Sequence, residues 1–481
     1  MTSNKKSMFV TSDGKNVVFT FAIVSSLFLL WGFCNGMIDV MDKHFQQELH
    51  LTLSQSAWVQ FAHYLGYFLM SLPAGWLASR LGYKGGIIAG LLLVAVGGFW
   101  FIGATEIAAF WAFLLGVCVI ASGLTFLETV ANPYTTVLGD PRYAATRINL
   151  AQSFNGIGWI LGPIAGSMYF YSKDAAGNST GSQTLYIPYV GVAIVVIVLA
   201  VIFFFANVPD IKTEDDYHLD DTTPGATHSI WLHPHFSMAV AAQFFYVAAQ
   251  AGIFSFFINY MTVSTQTGVS QVPAIPESWD SAMTTFASNS GFLQGWLQGW
   301  IETGKDGLRH VSDKGAANLA SVAFVCFLLG RVSGAALLKK FAAHKVLCLY
   351  GVLNVLTTLL VFCKLGWLSV VCVFLSYFFM SIMFPTIFAL GIFGLGARAK
   401  KASACLVMAI MGGAILPKVM GMVGDKYDIS RGFIVPMFCF AFVAFYGFNW
   451  SKYSKVDSLN DGNNSGGGSK VMPEVRVADG H

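Results

Sequence analysis

Twelve stretches of this chain are long and apolar enough to cross a lipid bilayer. They run near 17–40, 56–79, 86–103, 107–132, 149–171 and 186–207, and after a polar break near 234–262, 316–338, 346–363, 366–392, 402–424 and 432–451. A hydrocarbon core about 30 Å thick is spanned by roughly 20 apolar residues in a helix. At that depth no water meets a backbone N–H or C=O, so each crossing segment must satisfy its own hydrogen bonds. The expected fold class is therefore an all-α polytopic membrane protein with twelve transmembrane helices. Only 11% of the 481 residues are charged and 55% are hydrophobic, with a mean hydropathy of +0.61, against about 25% charged in soluble domains. The first run begins near Val17 and is of spanning length, so it reads as a retained helix rather than a signal peptide.

Several function classes fall away at once. The net charge of +3 comes with no basic run or stripe, so nucleic acid is not an expected partner. The eight cysteines form no Cys-x-x-Cys pair, which suggests neither a disulfide framework nor a zinc site. No Ser/His/Asp constellation, metal-ligand cluster or phosphate-cradling glycine loop is present. Neither an enzyme nor a cofactor is expected.

The polar break 208–233 divides the spans into two sets of six, and the sets repeat. Span 5 carries Gly158, Gly162, Pro163 and Gly166; span 11 carries Gly412, Pro417 and Gly421. Span 4 ends with Pro133 six residues before Gly139, and span 10 ends with Pro385 six before Gly391. Paired motifs six helices apart predict two pseudo-symmetric six-helix bundles, able to bind a ligand at their interface and rock around it. The expected layout is a tail at 1–16, a first bundle at 17–207, a linker at 208–233, a second bundle at 234–452 and a tail at 453–481. Lys and Arg favour one set of short loops (Arg80, Lys84, Arg142, Arg147, Lys339, Lys340, Lys345, Arg398, Lys400, Lys401) over the other (Lys43, Lys173, Lys364, Lys426, Arg431). By the positive-inside rule both termini are cytoplasmic. A multi-pass protein of the cell (inner or plasma) membrane follows, read as a monomer. Residues 263–314 then form a long outer loop with Trp279, Trp296 and Trp300. Its stretch 286–301 is expected to lie in the interface, with a lid over the outer mouth as the alternative.

Glu128 is the costly residue. No other charge lies between Glu106 and Asp140, and a charge at bilayer depth costs about 2.5–3.5 kcal/mol on insertion scales. It is explained by transport, by a proton relay or by a buried ion pair. Arg331 and Lys418 are the candidate partners for a pair. Arg331 reads as capping the cytoplasmic end of span 8, and Lys418 as snorkelling outward with Asp425 two turns on.

The stretches Trp31–Asp39, Gly123–Gly139, Asn149–Asn155, Ala242–Gln250 and Met380–Gly391 resemble the major facilitator superfamily, and within it the fucose permease group of sugar–proton symporters. The resemblance covers about 17–450. It implies the major facilitator fold, and a monosaccharide (L-fucose or a related hexose) imported by proton symport through alternating access. It implies that Asp39 and Glu128 couple the proton. The chain departs from the group's pattern at Gly36, where a second amide is common, and at Lys418.

A neutral hexose presents hydroxyls, so its site needs amides, hydroxyls and flat aromatic walls. Asn35 and Asp39 share one face of span 1, as do Glu128 and Asn132 on span 4. Gln152 and Asn155 on span 5 and Gln243 and Gln250 on span 7 add amides; His63, Tyr64 and Tyr67 on span 2 add rings. His63 can bind sugar, carry a proton or hydrogen-bond a neighbour. Burial disfavours the ionised form of a carboxyl, so Glu128 can cross protonated and ionise where it meets water. Asp39 is expected near the outer mouth, collecting the proton, and Asp42 as a solvated loop charge. Gly75, Arg80 and Lys84, with Arg331, Lys339 and Lys340 in the second half, read as a latch of cytoplasmic helix ends. Sodium in place of the proton remains open, because Thr125, Thr129 and Asn132 place oxygens near Glu128. A sugar sensor is the weaker alternative, since neither tail resembles an output domain.

Overall fold

The computed structural model describes residues 9–10, 16–138, 144–171, 184–206, 230–263, 270–279, 281, 285, 297–304, 306–338, 341–393 and 399–454. The first bundle contains α1 (Val18–Glu48), the short α2 (Leu53–Ser56), α3 (Trp58–Ile107), α4 (Phe110–Val137), α5 (Ala144–Tyr169) and α6 (Tyr186–Phe205). The second contains α7 (Pro234–Ser255), α8 (Phe257–Met261), α9 (Asp313–Leu338), α10 (Ala343–Phe362), α11 (Trp367–Met380), α12 (Met383–Ile392), α13 (Ala399–Met408), α14 (Gly412–Lys426), α15 (Ile429–Gly432) and α16 (Ile434–Ser454). Ten segments meet a strict length and hydropathy test for crossing a membrane. The arm of α3 before its kink and the Gly- and Pro-interrupted α5 bring the spans to twelve. The α3 kink is at Gly82, whose φ of 71° suits a glycine and turns the chain between spans 2 and 3. The linker 208–229 and the tail beyond 454 lie outside the described residues.

Helix contacts within each bundle depend on glycine, because without water between helices attraction comes from close backbone approach. A Cβ on Gly32 of α1 would stand 2.1 Å from the Asn155 carbonyl oxygen of α5, and one on Gly158 would stand 2.2 Å from that of Leu29. The second bundle repeats the seam: a Cβ on Gly412 would stand 2.1 Å from the Phe244 carbonyl oxygen of α7. The repeat legible in the glycine and proline spacing is thus a repeat of helix crossings.

The face carrying the chain termini and the face opposite it differ. Among the described residues, every hydrogen bond or ion pair that joins the bundles lies on the opposite face. Ser255 of α7 donates to Asp42 of α1, and Gln46 of α1 and Asn259 of α8 bond to each other. Gln47 of α1 donates to Asp313 of α9, which also lies 3.8 Å from Lys43. Ser167 of α5 donates to Asn318 of α9 at 2.9 Å. Asp425 of α14 accepts the Leu53 and Ser54 N–H groups of α2 at 2.7 and 2.9 Å, a cap on free helix N–H groups supplied by the other bundle. The molecule is closed on that face.

This closure corrects two expectations. Span 1 does not end near residue 40: α1 continues to Glu48. Asp42 is therefore no solvated loop charge but fully buried on Ser255, and Lys43 is a buried helical residue. The long outer loop packs on the second bundle. Ile275 N–H donates to the Arg309 carbonyl at 2.8 Å beside the hairpin of β1 (Ile301–Thr303) and β2 (Arg309–Val311). Trp279 meets Trp367 with ring centroids 5.0 Å apart, and Ser430 donates to Gln271 at 2.7 Å. Most of the expected interfacial stretch, 286–296 with Trp296, lies outside the described residues.

Replacing Gly158 with Ala is expected to destabilise the purified protein by about 1–3 kcal/mol, the usual cost of overpacking. Gly103→Ala, with open space around its Cβ position, should leave the thermal midpoint unchanged. Equal midpoints for the two variants would refute the seam.

Candidate functional site between the bundles

In the first bundle, Trp31, Asn35 and Asp39 recur every four residues along α1, so they form one stripe. The glycine crossing with α5 holds that stripe in place. Glu128 on α4 is half-buried and borders a small recess with Leu27, Phe28, Trp31, Leu127 and Ala131. The Trp31 indole donates to the Tyr67 hydroxyl at 2.6 Å. The His63 ring stands 5.0 Å from both Tyr64 and Tyr67. Gln60, one turn before His63 and Tyr64, donates to Asp39 Oδ1 at 2.8 Å. Tyr64 lies within electrostatic reach of Asp39, Glu128 and Tyr246, and so connects the two carboxyls with the second bundle.

The second bundle meets this stripe with α7 and α11. Gln243 is completely buried and neither end of its amide has a hydrogen-bond partner. One turn on, the Tyr246 hydroxyl donates to the Met380 carbonyl at 2.9 Å, where the helical run breaks between α11 and α12. Tyr377 stacks on Phe254 at 4.7 Å, lies within electrostatic reach of Asp39, and has an unpartnered hydroxyl. Trp159 of α5 touches Phe254 and Phe324 at 5.5 and 4.8 Å, joining the bundles through rings. Asn35 Oδ1, Asp39 Oδ2 and His63 Nδ1 are likewise buried and unpartnered. Buried polar atoms are normally bonded, so this group of unpaired atoms is suited to a polar ligand.

The expected site residues separate in the structure. Asn35, Asp39, His63, Tyr64, Tyr67 and Glu128 fall together, with Gln243 reaching them through Tyr246. Gln250 is half-buried two turns along the same helix. Asn155 donates to the Phe28 carbonyl at 3.2 Å and ties α5 to α1. Gln152 is half-buried and already has an interaction partner. The side chain of Asn132 lies outside the described residues. Gln60 and Tyr377 were not singled out from the sequence. The one-face rule applied to Gln60, His63, Tyr64 and Tyr67 would have found the first, whereas a tyrosine in an apolar run reads as core.

The cations are not where they were expected. Lys418 stacks on the Trp58 ring at 3.8 Å and does not follow Asp425, whose oxygens cap α2. Arg331 turns to the C-terminal end of α11 and not to that of its own helix. Its Nε points to the Ser381 carbonyl at 3.5 Å, with the guanidinium 5.0 Å from the Phe327 ring centroid. Neither pairs with Glu128, which has no ion pair among the described residues. In the expected latch, Lys84 donates to the Ala206 carbonyl at 3.0 Å and Arg80 stacks on Trp76 at 4.3 Å, both within the first bundle. Gly75 has open space around its Cβ position; Lys339 and Lys340 lie outside the described residues.

The family model "Major Facilitator Superfamily" matches residues 17–305. The chain belongs to the major facilitator superfamily. Within the superfamily, it is 33% identical over 444 residues to a glucose/galactose transporter of Brucella abortus, covering 92% of this chain and 96% of that one. It is 32% identical over 449 residues to the L-fucose–proton symporter of Escherichia coli, covering 90% and 93%. The solved structure of the E. coli fucose:proton symporter superposes with a TM-score of 0.63 at 32% identity, covering 91% of this chain and all of that one. A bacterial homologue of the lysosomal transporter Spinster, inward-facing and occupied, gives 0.63 at 13% identity, a likeness of fold. The fold is that of two six-helix bundles, and the chemistry is transport rather than catalysis.

An unpaired buried amide costs about 1–3 kcal/mol. Gln243→Leu is therefore expected to raise the thermal midpoint of the purified transporter. Gln60→Leu, which removes the donor to Asp39, should lower it. A fall in both would mean that Gln243 has a partner in the folded protein.

Proposed function

We propose that this transporter imports a neutral hexose together with a proton, by alternating access across the cell membrane. The observation that carries the reading is Glu128: a carboxyl at bilayer depth, with no ion pair among the described residues, on the same bundle as the unpaired Asn35, Asp39 and His63 atoms. A permanently ionised Glu128 would be unstable there, whereas a carboxyl that gains and loses a proton is suited to it. The relatives named above are named for L-fucose and for glucose or galactose, and what these substrates share is a ring of hydroxyls without charge. Asn35, His63, Gln243 and the Tyr64 and Tyr67 rings provide complementary donors, acceptors and walls. We assign the proton to Glu128 and Asp39. The Trp31–Tyr67 and Gln60–Asp39 bonds orient the two groups, and Tyr64 lies between them.

With cytoplasmic termini, the closed face is the outer one. Asp42, Gln46, Gln47, Asn259, Asp313 and Asp425 then form the outer gate, and the structure corresponds to the state after substrate has entered. Lys84 and Arg80 are engaged within the first bundle in this state, as a latch of the opposite state requires.

Uptake into proteoliposomes from a panel of L-fucose, D-galactose, D-glucose, D-mannose and N-acetylglucosamine tests the reading, with and without an inward proton gradient. At least one sugar should accumulate uphill only with the gradient, and without sodium. Glu128→Gln is expected to abolish uphill accumulation while sustaining sugar exchange across the membrane. Accumulation driven by sodium at constant pH, or undiminished in Glu128→Gln, would refute the proton role.

A further inference from the structure

Arg331 is a second charge at this depth. Among the described residues no carboxylate lies within ion-pair distance of it. Its polar contact is the long one to the Ser381 carbonyl. Two independent measures place it level with Glu128. Glu128 stands nine residues before the end of α4 at Val137, and Arg331 seven before the end of α9 at Leu338. At 1.5 Å per residue both are about 10–14 Å from the terminal face. The internal repeat gives the same level: Glu128 precedes Pro133 by five residues, as Met380 precedes Pro385, and Arg331 reaches the residue after Met380. The first bundle thus has a free negative charge where the second has a free positive one. Tyr64 and Tyr246 are within electrostatic reach of each other. Tyr64 also reaches Glu128, and Tyr246 also reaches Arg331.

We propose that Arg331 is the counter-charge of ionised Glu128 in the opposite state of the transporter, formed when the terminal face closes. This rests on the proton role assigned to Glu128 above. In the present structure the bundles meet on the face opposite the termini. Rocking about the central site closes the other face, where Glu128 and Arg331 stand at matching height. With sugar and proton bound, Glu128 is neutral and needs no partner to cross. After both are released it is ionised, and an unpaired carboxylate resists closure in a low-dielectric seam. The pair with Arg331 removes that barrier for the empty return. A newly arriving proton breaks the pair and frees the site for the next sugar. Arg331 is thereby a positioning residue for Glu128 and takes no part in binding the sugar.

The test separates exchange, which needs no empty return, from net flux, which does. Radiolabelled L-fucose and D-galactose are assayed in proteoliposomes for equilibrium exchange and for net downhill efflux. Arg331→Gln is expected to retain exchange within about twofold and to lose net efflux by at least tenfold, with Arg331→Lys largely restoring it. In a Glu128→Gln background, where no ionised carboxyl remains, Arg331→Gln should cost no further net efflux. Thermal midpoints of the four proteins without sugar give the same cycle independently of substrate, and the two shifts should be non-additive. Arg331→Gln reducing exchange as much as efflux would mean that it touches substrate. Additive losses in the double variant would mean a purely structural role. Either outcome overturns the pair. Failure of the proton assignment itself is read separately, from uphill accumulation in Glu128→Gln alone.

Discussion

Among the described residues, the hydrogen bonds and ion pairs between the bundles are confined to one face. Asp425 on the α2 N–H groups, Asp42 with Ser255, and Gln46 with Asn259 decide which side of the membrane can reach Glu128. A neutral hydrogen bond contributes about 0.5–1.5 kcal/mol net and one to a charge about 1.5–3. The closure is therefore worth several kcal/mol. Moving a two-state equilibrium from 1:99 to 99:1 takes about 5.5 kcal/mol of differential binding. A seam of this size keeps the face opposite the termini shut and still yields to a bound ligand. A broad apolar interface would be harder to reopen, because nothing in the cycle would compete with it.

The two bundles contribute unlike materials to the site. The first supplies both carboxyls, the Trp31–Tyr67 bond and the ring cluster of His63, Tyr64 and Tyr67. The second supplies an amide with no partner, a broken helix between Met380 and Met383, and the stack of Phe254, Tyr377 and Phe324. The repeat makes this asymmetry sharp, since Met380 occupies the place of Glu128. Tyr246 bonds to the carbonyl of that same residue. A side-chain carboxyl in one half thus corresponds to an exposed backbone carbonyl in the other, satisfied by a tyrosine.

The spans, the duplication and most of the polar stripe were legible in the sequence because each is a periodic property of one helix. Asp42 and Lys43 were misread for a physical reason. They follow an apolar run, and only the other bundle's Ser255 and Asp313 explain why the helix continues through them. Arg331 was misread in the same way. A cation near a helix end normally caps it, but its hydrogen-bond partner is fifty residues away at the end of another helix. Lys418 and Asp425, two turns apart on one helix, turn to Trp58 and to α2. In every case the missing information was a partner on another helix, which no one-dimensional pattern records.

That failure marks where the function lies. Away from the seam, local rules hold: helices cross at glycines, hydroxyls bond their own helix carbonyls, and cations at the opposite-face ends find partners, as Lys364 does in Asp428 and Arg431 on the Phe362 ring. Between the bundles the rules lapse together: amide and carboxyl oxygens without donors, a helix that breaks, and two opposite charges at one depth that do not touch. A single static packing would have removed such strain, since apolar replacements at Gln243 or Arg331 would stabilise this state. A molecule that must occupy two packings cannot remove it. A group unsatisfied in one state needs its partner in the other, either the substrate or the facing bundle. In the proposed cycle Glu128 has both partners in turn: proton and sugar on the way in, the second bundle on the way back.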